Sequence, residues 1–156
     1  MKISCIIPAY NEESTIVGVL RNVRKVQDIT EIIVVDDGST DKTCEVVETI
    51  GIKVIKHKTN RGKGAAIKTG FTHSSGDVIL FLDADLSSIS PKKISSILHP
   101  IENDEADFVK TSFSRSRGRV TELVVKPLFR VIFPFINFKQ PLSGQFALRR
   151  ELIKDL

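Results

Sequence analysis

The feature that most constrains the fold of this chain is a regular alternation of short β-branched runs with amphipathic helical patterns. Residues 32–35, Ile-Ile-Val-Val, are apolar at every position, which is typical of a strand buried on both faces of a sheet. An earlier segment carries its apolar residues at the spacing of one helix face, namely Ile16, Val19, Leu20 and Val23. Strands joined by such helices predict an α/β fold with a mostly parallel sheet.

The predicted elements run along the whole chain of 156 residues, and a single domain over 1–156 is expected at that length. Strands are predicted over 3–8, 31–36, 53–56, 77–82, 106–111 and 143–148. The first helix is predicted at the Ile16 stripe, and the second after a cap at Ser39 or Thr40. A third helix is predicted over 63–73, and a fourth begins at Ser90-Pro91 and is limited by Pro100. The last is predicted over 120–133, with a bend at Pro127.

Charge and cysteine content narrow the choice of partners and of compartment. The net charge of +4 and the pI near 9.1 favour anionic ligands such as phosphates. Scattered basic residues and a single tyrosine, Tyr10, make a nucleic-acid partner unexpected. Cys5 and Cys44 fall in apolar strand and helix patterns, which favours a reduced protein over a disulfide scaffold. Without a signal-peptide pattern or a run of about 18 apolar residues, a cytoplasmic location is predicted.

Polar loops follow three of the predicted strands, at 9–13, 36–41 and 83–85. In an open parallel sheet, ligands bind outside the carboxyl ends of the strands. Asp83 and Asp85 come where an apolar run ends, and alternation along an extended chain sends both carboxylates to the same side. Such a pair can hold Mg²⁺ or Mn²⁺ against a diphosphate. Helix capping is the better explanation of each loop taken alone, but three such loops at one edge of the sheet favour a ligand site.

Glycine placement separates this chain from two common classes of nucleotide-binding protein. A dinucleotide-binding unit needs a glycine-rich turn after its first strand, and residues 8–11 contain no glycine, so hydride chemistry is not expected. Residues 61–66, Arg-Gly-Lys-Gly-Ala-Ala, lack the spacing of a phosphate loop. They still suit a phosphate, because Lys63 adds charge at a helix N-terminus, although a plain turn leading into a helix is the alternative.

Four motifs in fixed order resemble the family 2 type glycosyltransferases. They are 7–13 (Ile-Pro-Ala-Tyr-Asn-Glu-Glu), 35–41 (Val-Asp-Asp-Gly-Ser-Thr-Asp), 60–64 (Asn-Arg-Gly-Lys-Gly) and 82–85 (Leu-Asp-Ala-Asp). The resemblance implies the GT-A fold, with a Rossmann-like, mostly parallel sheet, and a nucleotide-sugar donor bound with Mg²⁺ or Mn²⁺. It also divides the chain into a nucleotide-binding half, 1–86, and an acceptor-side half, 87–156.

The resemblance also implies roles for individual residues. Asp36 or Asp37 is expected at the base or ribose, Lys63 near the uracil or diphosphate, and Asp85 on the metal, with Asp83 on the ribose or completing the metal site. The full set of implied donor-binding residues is Pro8, Ala9, Glu12, Asp36, Asp37, Gly62, Lys63, Asp83 and Ala84. The implied catalytic residues are Asp85, Lys63 and Gln145.

The second half resembles one branch of that family, the glucosyl-3-phosphoglycerate synthases. The segments that carry this likeness are 108–111 (Phe-Val-Lys-Thr), 118–123 (Gly-Arg-Val-Thr-Glu-Leu), 126–128 (Lys-Pro-Leu) and 140–144 (Gln-Pro-Leu-Ser-Gly). The branch transfers glucose from a UDP- or GDP-type donor to 3-phosphoglycerate with retention of configuration. The implied acceptor-binding residues are Gly118, Arg119, Thr121, Ser143 and Gly144.

Two departures from the family pattern bear on catalysis. Gln145 stands where relatives commonly have an acidic residue, so no general base is evident and the leaving phosphate is expected to take the acceptor proton. Relatives also continue beyond the position of Leu156 and contribute a metal-binding histidine there, so the acceptor-side half is expected to be incomplete. The histidines present, His57, His73 and His99, are expected at the surface or at helix ends.

Two other functions remain open at this point. The apolar stretch 129–138, beside Lys126, Arg130 and Lys139, is consistent with a polyprenyl-phosphate glycosyltransferase at a membrane surface. The same stretch also suits core packing or a homodimer interface. A third reading is an inactive nucleotide-sugar-binding module, which the short C-terminus and Gln145 favour.

Overall fold

A computed structural model describes residues 1–111 and 144–153. The elements in chain order are β1 (Ile3–Ala9), α1 (Ile16–Val23), β2 (Ile29–Asp36), α2 (Thr43–Thr49), β3 (Lys53–Lys56), α3 (Lys63–Thr72), β4 (Val78–Phe81), α4 (Pro91–Glu102), β5 (Phe108–Lys110) and β6 (Phe146–Arg149). A short 3₁₀ helix, Arg150–Ile153, follows β6. The six described strands overlap the six that the sequence predicts, and most boundaries agree within two residues.

The strands form one sheet in the order β3-β2-β1-β4-β6-β5. β1 is parallel to both β2 and β4, and β3 is parallel to β2, whereas β6 is antiparallel to β4 and β5. The chain moves outward from β1 to β3 and then returns to place β4 on the other side of β1. The strand order therefore reverses between β1 and β4, which is where open α/β sheets bind ligands at their carboxyl edge.

Helices cover both faces of the sheet, so alternate residues of β1 enter two different cores. Ile3, Cys5 and Ile7 are buried in the larger cluster beneath α1 and α4. Ile6 lies on the opposite face with Phe81 and contacts the side of α3. Each such apolar side chain contributes about 1.5–3 kcal/mol when fully buried, and the two cores together fix the strand ends that form the cleft. The predicted mostly parallel α/β sheet is confirmed.

The predicted cap of α2 is wrong. The helix begins at Thr43, whose N–H donates to the Asp41 carboxylate at 2.9 Å. Ser39 and Thr40 instead bond across to the loop after β1: Ser39 Oγ accepts from the N–H of Asn11 at 2.9 Å, and the Thr40 N–H donates to Asn11 Oδ1 at 2.9 Å. Tertiary contacts between two loops therefore use the polar groups that local capping would otherwise use.

The start of α4 agrees with the sequence, and its end differs slightly. Ser90 is the N-cap and accepts from the N–H of Lys93 at 3.4 Å. Pro100 was expected to limit the helix, but α4 continues to Glu102. A proline in the last turn removes one backbone donor only, so the helix extends slightly past it.

Three further predictions concern a helix in the second half, the cysteines and membrane-spanning segments. The helix predicted over 120–133 lies outside the described residues. Cys5 and Cys44 are both free thiols. Within 1–111 and 144–153, each helix is too short or too polar to cross a membrane.

Candidate functional site

A cleft of about 410 Å³ opens at the carboxyl edge of the sheet, between the ends of β1 and β4 and the start of α3. Its size lies within the range of small-ligand pockets. The lining residues are Pro8, Ala9, Tyr10, Glu12, Asp37, Asn60, Gly62, Lys63, Ala66, Asp83, Ala84 and Asp85. Every predicted donor-binding residue except Asp36 is among them.

The loop after β1 forms one wall of the cleft and is fixed by the neighbouring loop. The carbonyl of Ala9 accepts from the N–H of Asp37 at 2.8 Å. The N–H of Glu12 donates to Thr43 Oγ1 at 2.8 Å, and the Glu12 carboxylate accepts from the Thr15 hydroxyl at 2.5 Å. These contacts orient the β1 loop before any ligand binds.

Asp37 is the most heavily bonded side chain of the cleft and is only 3% exposed. Its Oδ1 accepts from His57 Nδ1 at 2.6 Å and from the N–H of Arg61 at 3.0 Å, and its Oδ2 accepts from the N–H of Gly62 at 2.8 Å. Burial alone raises the pKa of this carboxyl. The hydrogen bonds from His57, Arg61 and Gly62 outweigh that effect, so its pKa lies below the ordinary 3.8 and the group is ionised near neutral pH.

Asp36, the neighbour of Asp37, points away from the cleft. It is fully buried, and its Oδ1 accepts from the N–H of Ser39 at 2.9 Å. Its Oδ2 has no hydrogen-bond partner among the described residues, and Lys56 Nζ lies 3.9 Å away. Of the two aspartates that the sequence offered for the base or ribose, only Asp37 reaches the cleft.

His57 corrects the expectation that all three histidines lie at the surface or at helix ends. It directly follows β3 and is 7% exposed. Its Nδ1 faces Asp37 at 2.6 Å, and its Nε2 faces the hydroxyl of Thr69 in α3 at 2.9 Å. An ionised carboxylate only accepts hydrogen bonds, so Nδ1 carries the proton and its N–H donates a hydrogen bond to Asp37.

The turn before α3 presents Lys63 to the cleft. Gly62 caps the helix with a φ of 88°, a backbone conformation that side chains disfavour, and its N–H points at Asp37. Lys63 is the first residue of α3, and its side chain is 52% exposed. Its ammonium forms an ion pair with the Asp83 carboxylate. The positive end of the α3 dipole and the Lys63 charge therefore lie at the same edge of the cleft.

Asp83 links the start of α3 to the segment that precedes β6. Besides Lys63, it binds Gln145, whose Nε2 donates to Asp83 Oδ2 at 2.5 Å. A Cβ added to Gly144 would lie 2.6 Å from Asp83 Oδ1 and 2.7 Å from Lys63 Nζ, so a larger residue there would require this pair to shift. The Thr111 hydroxyl donates to the carbonyl of Gln145 at 3.0 Å, which fixes this segment against β5.

Asp85 differs from every other carboxylate of the cleft. It lies in the turn after β4, is exposed, and makes no side-chain hydrogen bond or ion pair with any residue in 1–111 or 144–153. Among those residues, no group of three or more His, Cys, Asp or Glu side chains is assembled for a metal. A divalent cation still fits at Asp85, because Mg²⁺ is commonly held by one or two carboxylates together with substrate phosphates.

Asp83 and Asp85, the two predicted metal ligands, have different surroundings. β4 ends at Phe81, and both aspartates lie beyond it, so strand alternation does not orient them. Asp83 already uses its oxygens for Lys63 and Gln145, whereas Asp85 keeps both oxygens available within the described part of the chain.

Sequence reasoning did not place three cleft residues in the site: Tyr10, Asn60 and Ala66. Tyr10 and Asn60 lie inside the quoted motifs, so motif membership was the available signal. Of the predicted acceptor-binding residues, Gly144 lies beside Asp83 and Lys63. Gly118, Arg119, Thr121 and Ser143 lie outside the described residues.

Several characterised proteins are similar in sequence to this chain over its whole length. A glucosyl-3-phosphoglycerate synthase from Petrotoga mobilis is 32% identical, over 100% of this chain and 56% of its own length. A dolichol-phosphate mannosyltransferase from Pyrococcus furiosus is also 32% identical, over 100% of this chain and 48% of its own. The chain thus spans about half the length of the relatives it matches.

Solved structures agree with this likeness. The glucosyl-3-phosphoglycerate synthase of Mycobacterium tuberculosis, crystallised with Mn²⁺, uridine-diphosphate-glucose and phosphoglyceric acid, superposes with a TM-score of 0.88 at 34% identity, covering 97% of this chain and 57% of that one. The fold is therefore the GT-A fold. The model of the family described as glycosyl transferase family 2 matches residues 4–154, and this chain belongs to that family.

Proposed function

We propose that this chain is the nucleotide-sugar-binding part of a glycosyltransferase that moves a sugar, glucose, from a UDP- or GDP-linked donor to a small phosphorylated acceptor such as 3-phosphoglycerate. The observation that carries the proposal is that one cleft is lined both by the exposed Asp85 carboxylate and by Lys63, the first residue of α3. One group offers a ligand to a divalent cation, and the other offers positive charge to a diphosphate.

Donor binding follows from the charges in the cleft. A nucleoside diphosphate brings negative charge to the start of α3, where Lys63 and the helix N-terminus favour it. Asp85 would hold Mg²⁺ or Mn²⁺, and the bound ion supplies further positive charge against the leaving diphosphate. The wall of Pro8, Ala9 and Glu12 would hold the nucleoside, and Asp37 would support this wall through its bond to Ala9.

Charge neutralisation at the leaving group is the main catalytic contribution that this chain offers. Bond breaking in glycosyl transfer leaves charge on the diphosphate, and Lys63 is placed to stabilise it. Asp83 holds the Lys63 ammonium in the cleft, and Gln145 holds Asp83. Gln145 cannot take a proton usefully, so the acceptor hydroxyl is expected to give its proton to the leaving phosphate.

The acceptor side of the proposal rests on the motifs of the second half. Arg119, Thr121 and Gly118 would bind the phosphate and carboxylate of a 3-phosphoglycerate-like acceptor, beside Ser143 and Gly144. Residues 1–86 would then form the donor half and 87–156 the acceptor half. The similar Mycobacterium tuberculosis synthase was crystallised with both uridine-diphosphate-glucose and phosphoglyceric acid, which supports this choice of donor and acceptor.

Titration calorimetry followed by a turnover assay tests the proposal. The purified chain is titrated with UDP-glucose and GDP-glucose, with Mn²⁺ and with a chelator, and 3-phosphoglycerate is then added. Metal-dependent binding of one donor, with nucleoside diphosphate released only after 3-phosphoglycerate is added, supports the synthase activity. Binding without release supports an inactive or incomplete module, and the absence of any binding contradicts the proposal. In the active case, Arg119→Ala is expected to weaken acceptor binding and to leave donor binding unchanged.

A polyprenyl-phosphate acceptor is the second candidate, favoured by the likeness to the dolichol-phosphate mannosyltransferase from Pyrococcus furiosus. Its membrane contact would use the apolar stretch 129–138. Cosedimentation with vesicles that contain a polyprenyl phosphate supports it, and recovery of all protein in the supernatant counts against it. A cytoplasmic location and a homodimer through the same stretch are further proposals, and light scattering tests the dimer.

A further inference from the structure

We infer that His57, acting through Asp37, is a positioning residue that sets the Gly62–Lys63 turn and thereby places the Lys63 ammonium in the cleft. The role of His57 toward the turn stands on the contacts alone. Its consequence for a nucleoside diphosphate rests on the proposed function.

The first step of the argument is the position of Asp37 where several elements meet. Its N–H holds Ala9 at the end of β1, and its carboxylate holds the N–H groups of Arg61 and Gly62 before α3. The same carboxylate accepts from His57, which follows β3. Through its backbone N–H and its carboxylate together, this one residue connects the ends of three parallel strands with the start of a helix.

The second step is that His57 adds a side-chain donor to a carboxylate whose two oxygens each accept from one backbone N–H of the turn. Oδ2 is held by the Gly62 N–H, while Oδ1 is shared between the Arg61 N–H and His57 Nδ1. The His57 contact is the shortest of the three, at 2.6 Å, and comes from a ring that is 7% exposed. Removing this donor leaves Oδ1 with the Arg61 N–H alone, and we expect the hold of the carboxylate on the turn to weaken.

The third step is that the His57 ring is itself held in one orientation. Thr69 of α3 contacts Nε2 at 2.9 Å, and the backbone N–H of His57 donates to the carbonyl of Asp36 at 2.8 Å. The ring thus links the end of β3 to the body of α3, whose first residue is Lys63. A shift at His57 is passed to Lys63 through the turn on one side and through the helix on the other.

Two substitutions separate the two ring contacts. The side-chain nitrogen of Asn lies as many bonds from Cα as Nδ1, so His57→Asn keeps a donor toward Asp37. The side-chain nitrogen of Gln corresponds to Nε2, so His57→Gln keeps a polar group toward Thr69 and loses the donor toward Asp37. Both replacements are neutral amides, so each serves as the control for the other.

The first measurement is amide hydrogen exchange at Arg61 and Gly62 by NMR, with no ligand present. Exchange in His57→Asn is expected near the wild-type rate, and in His57→Gln about tenfold faster, which corresponds to the loss of roughly one hydrogen bond. Equal exchange in all three proteins overturns the inference. If the variants do not fold, the ring ¹⁵N shifts of wild-type His57 decide, because an unprotonated Nδ1 is incompatible with the proposed donor.

The second measurement is calorimetric binding of UDP and of GDP in the presence of Mn²⁺. His57→Gln is expected to bind about tenfold more weakly, His57→Asn to recover most of that loss, and the difference to disappear in a Lys63→Met background. If His57→Gln still weakens nucleotide binding in the Lys63→Met background, His57 does not act through Lys63 and the inference is contradicted. If the wild-type protein binds neither nucleotide, the proposed function fails, and the amide exchange alone decides the role of His57.

Discussion

The two aspartate motifs at the carboxyl edge of the sheet lie in opposite environments. Asp37, from the motif after β2, is buried and accepts hydrogen bonds from His57, Arg61 and Gly62. Asp85, from the motif after β4, is exposed and has no side-chain partner among the described residues. The first carboxylate therefore holds the walls of the cleft together, and the second remains available to a ligand.

Asp83 is intermediate between these two extremes. Its side chain is 23% exposed, and it connects Lys63 with Gln145. It lines the cleft as Asp85 does, yet its oxygens are used within the protein as those of Asp37 are. The comparison teaches that an aspartate's role in such a cleft depends on which donors the fold brings to it.

The largest expected effect is on stability, from Asp37→Ala. This change removes a buried carboxylate and leaves His57 and two backbone N–H groups without their acceptor, at a cost of about 3–5 kcal/mol in the free energy of unfolding. Urea denaturation followed by circular dichroism measures it. The matched control is Asp85→Ala, which should leave the unfolding midpoint unchanged, and an equal loss in both variants would remove the distinction between the two aspartates.

The next effect is on binding, from Asp85→Ala. The affinity for UDP-glucose in the presence of Mn²⁺ is expected to fall at least about 100-fold, which corresponds to about 2.7 kcal/mol, because the available metal ligand is lost. Calorimetry with Mn²⁺ and with chelator measures the metal-dependent part. Wild-type and variant proteins should bind alike once the metal is chelated, and a loss that persists in chelator would point to a direct donor contact instead.

A smaller effect is expected from Gly144→Ala. The new methyl group would lie 2.6 Å from Asp83 Oδ1 and 2.7 Å from Lys63 Nζ, so the ion pair must shift. Donor affinity is expected to fall about tenfold, since Lys63 loses its position in the cleft. Gly18→Ala is the control, because nothing lies within 4 Å of a Cβ there and the residue is in a helix, so stability should rise slightly. Unchanged donor binding in Gly144→Ala would show that the Asp83–Lys63 pair is not needed for binding.

The smallest effect is a pH dependence of stability that Asp37 controls. Its pKa in the folded protein lies below the ordinary 3.8, so its stabilising contribution is present above that value and is lost as the pH falls through the folded pKa. The difference in unfolding free energy between wild type and Asp37→Asn should therefore narrow only as the pH falls below about 3.8, the ordinary pKa of the group. Parallel pH profiles for the two proteins would contradict this assignment.

Hydrophobic periodicity was enough to predict the sheet, because the burial of a strand leaves a pattern of apolar residues in its own short segment of sequence. The run 32–35 and the helix stripe from Ile16 to Val23 both lie where the periodicity places them. The motifs likewise predicted most of the cleft wall. The periodicity is local in sequence, so the chain alone displays it, whereas the cleft residues were implied by the resemblance of the motifs to family 2 glycosyltransferases.

The partners of individual side chains could not be predicted, because they depend on tertiary contacts. His57 meets Asp37 across 20 positions, and Gln145 meets Asp83 across 62. Ser39 and Thr40 cap no helix because Asn11, in another loop, bonds with both. No sequence pattern distinguishes a histidine that donates to a buried carboxylate from one that lies at the surface.

The most direct test of the difference between the two motifs is a titration of UDP, with Mn²⁺ and with chelator, into wild-type, Asp85→Asn and Asp83→Asn proteins whose melting temperatures are measured in parallel. We expect binding to wild type to need the metal, Asp85→Asn to lose the metal-dependent part at an unchanged melting temperature, and Asp83→Asn to keep a metal dependence at reduced affinity. Metal-dependent binding of wild-type strength by Asp85→Asn would contradict the assignment of this exposed carboxylate as the metal ligand.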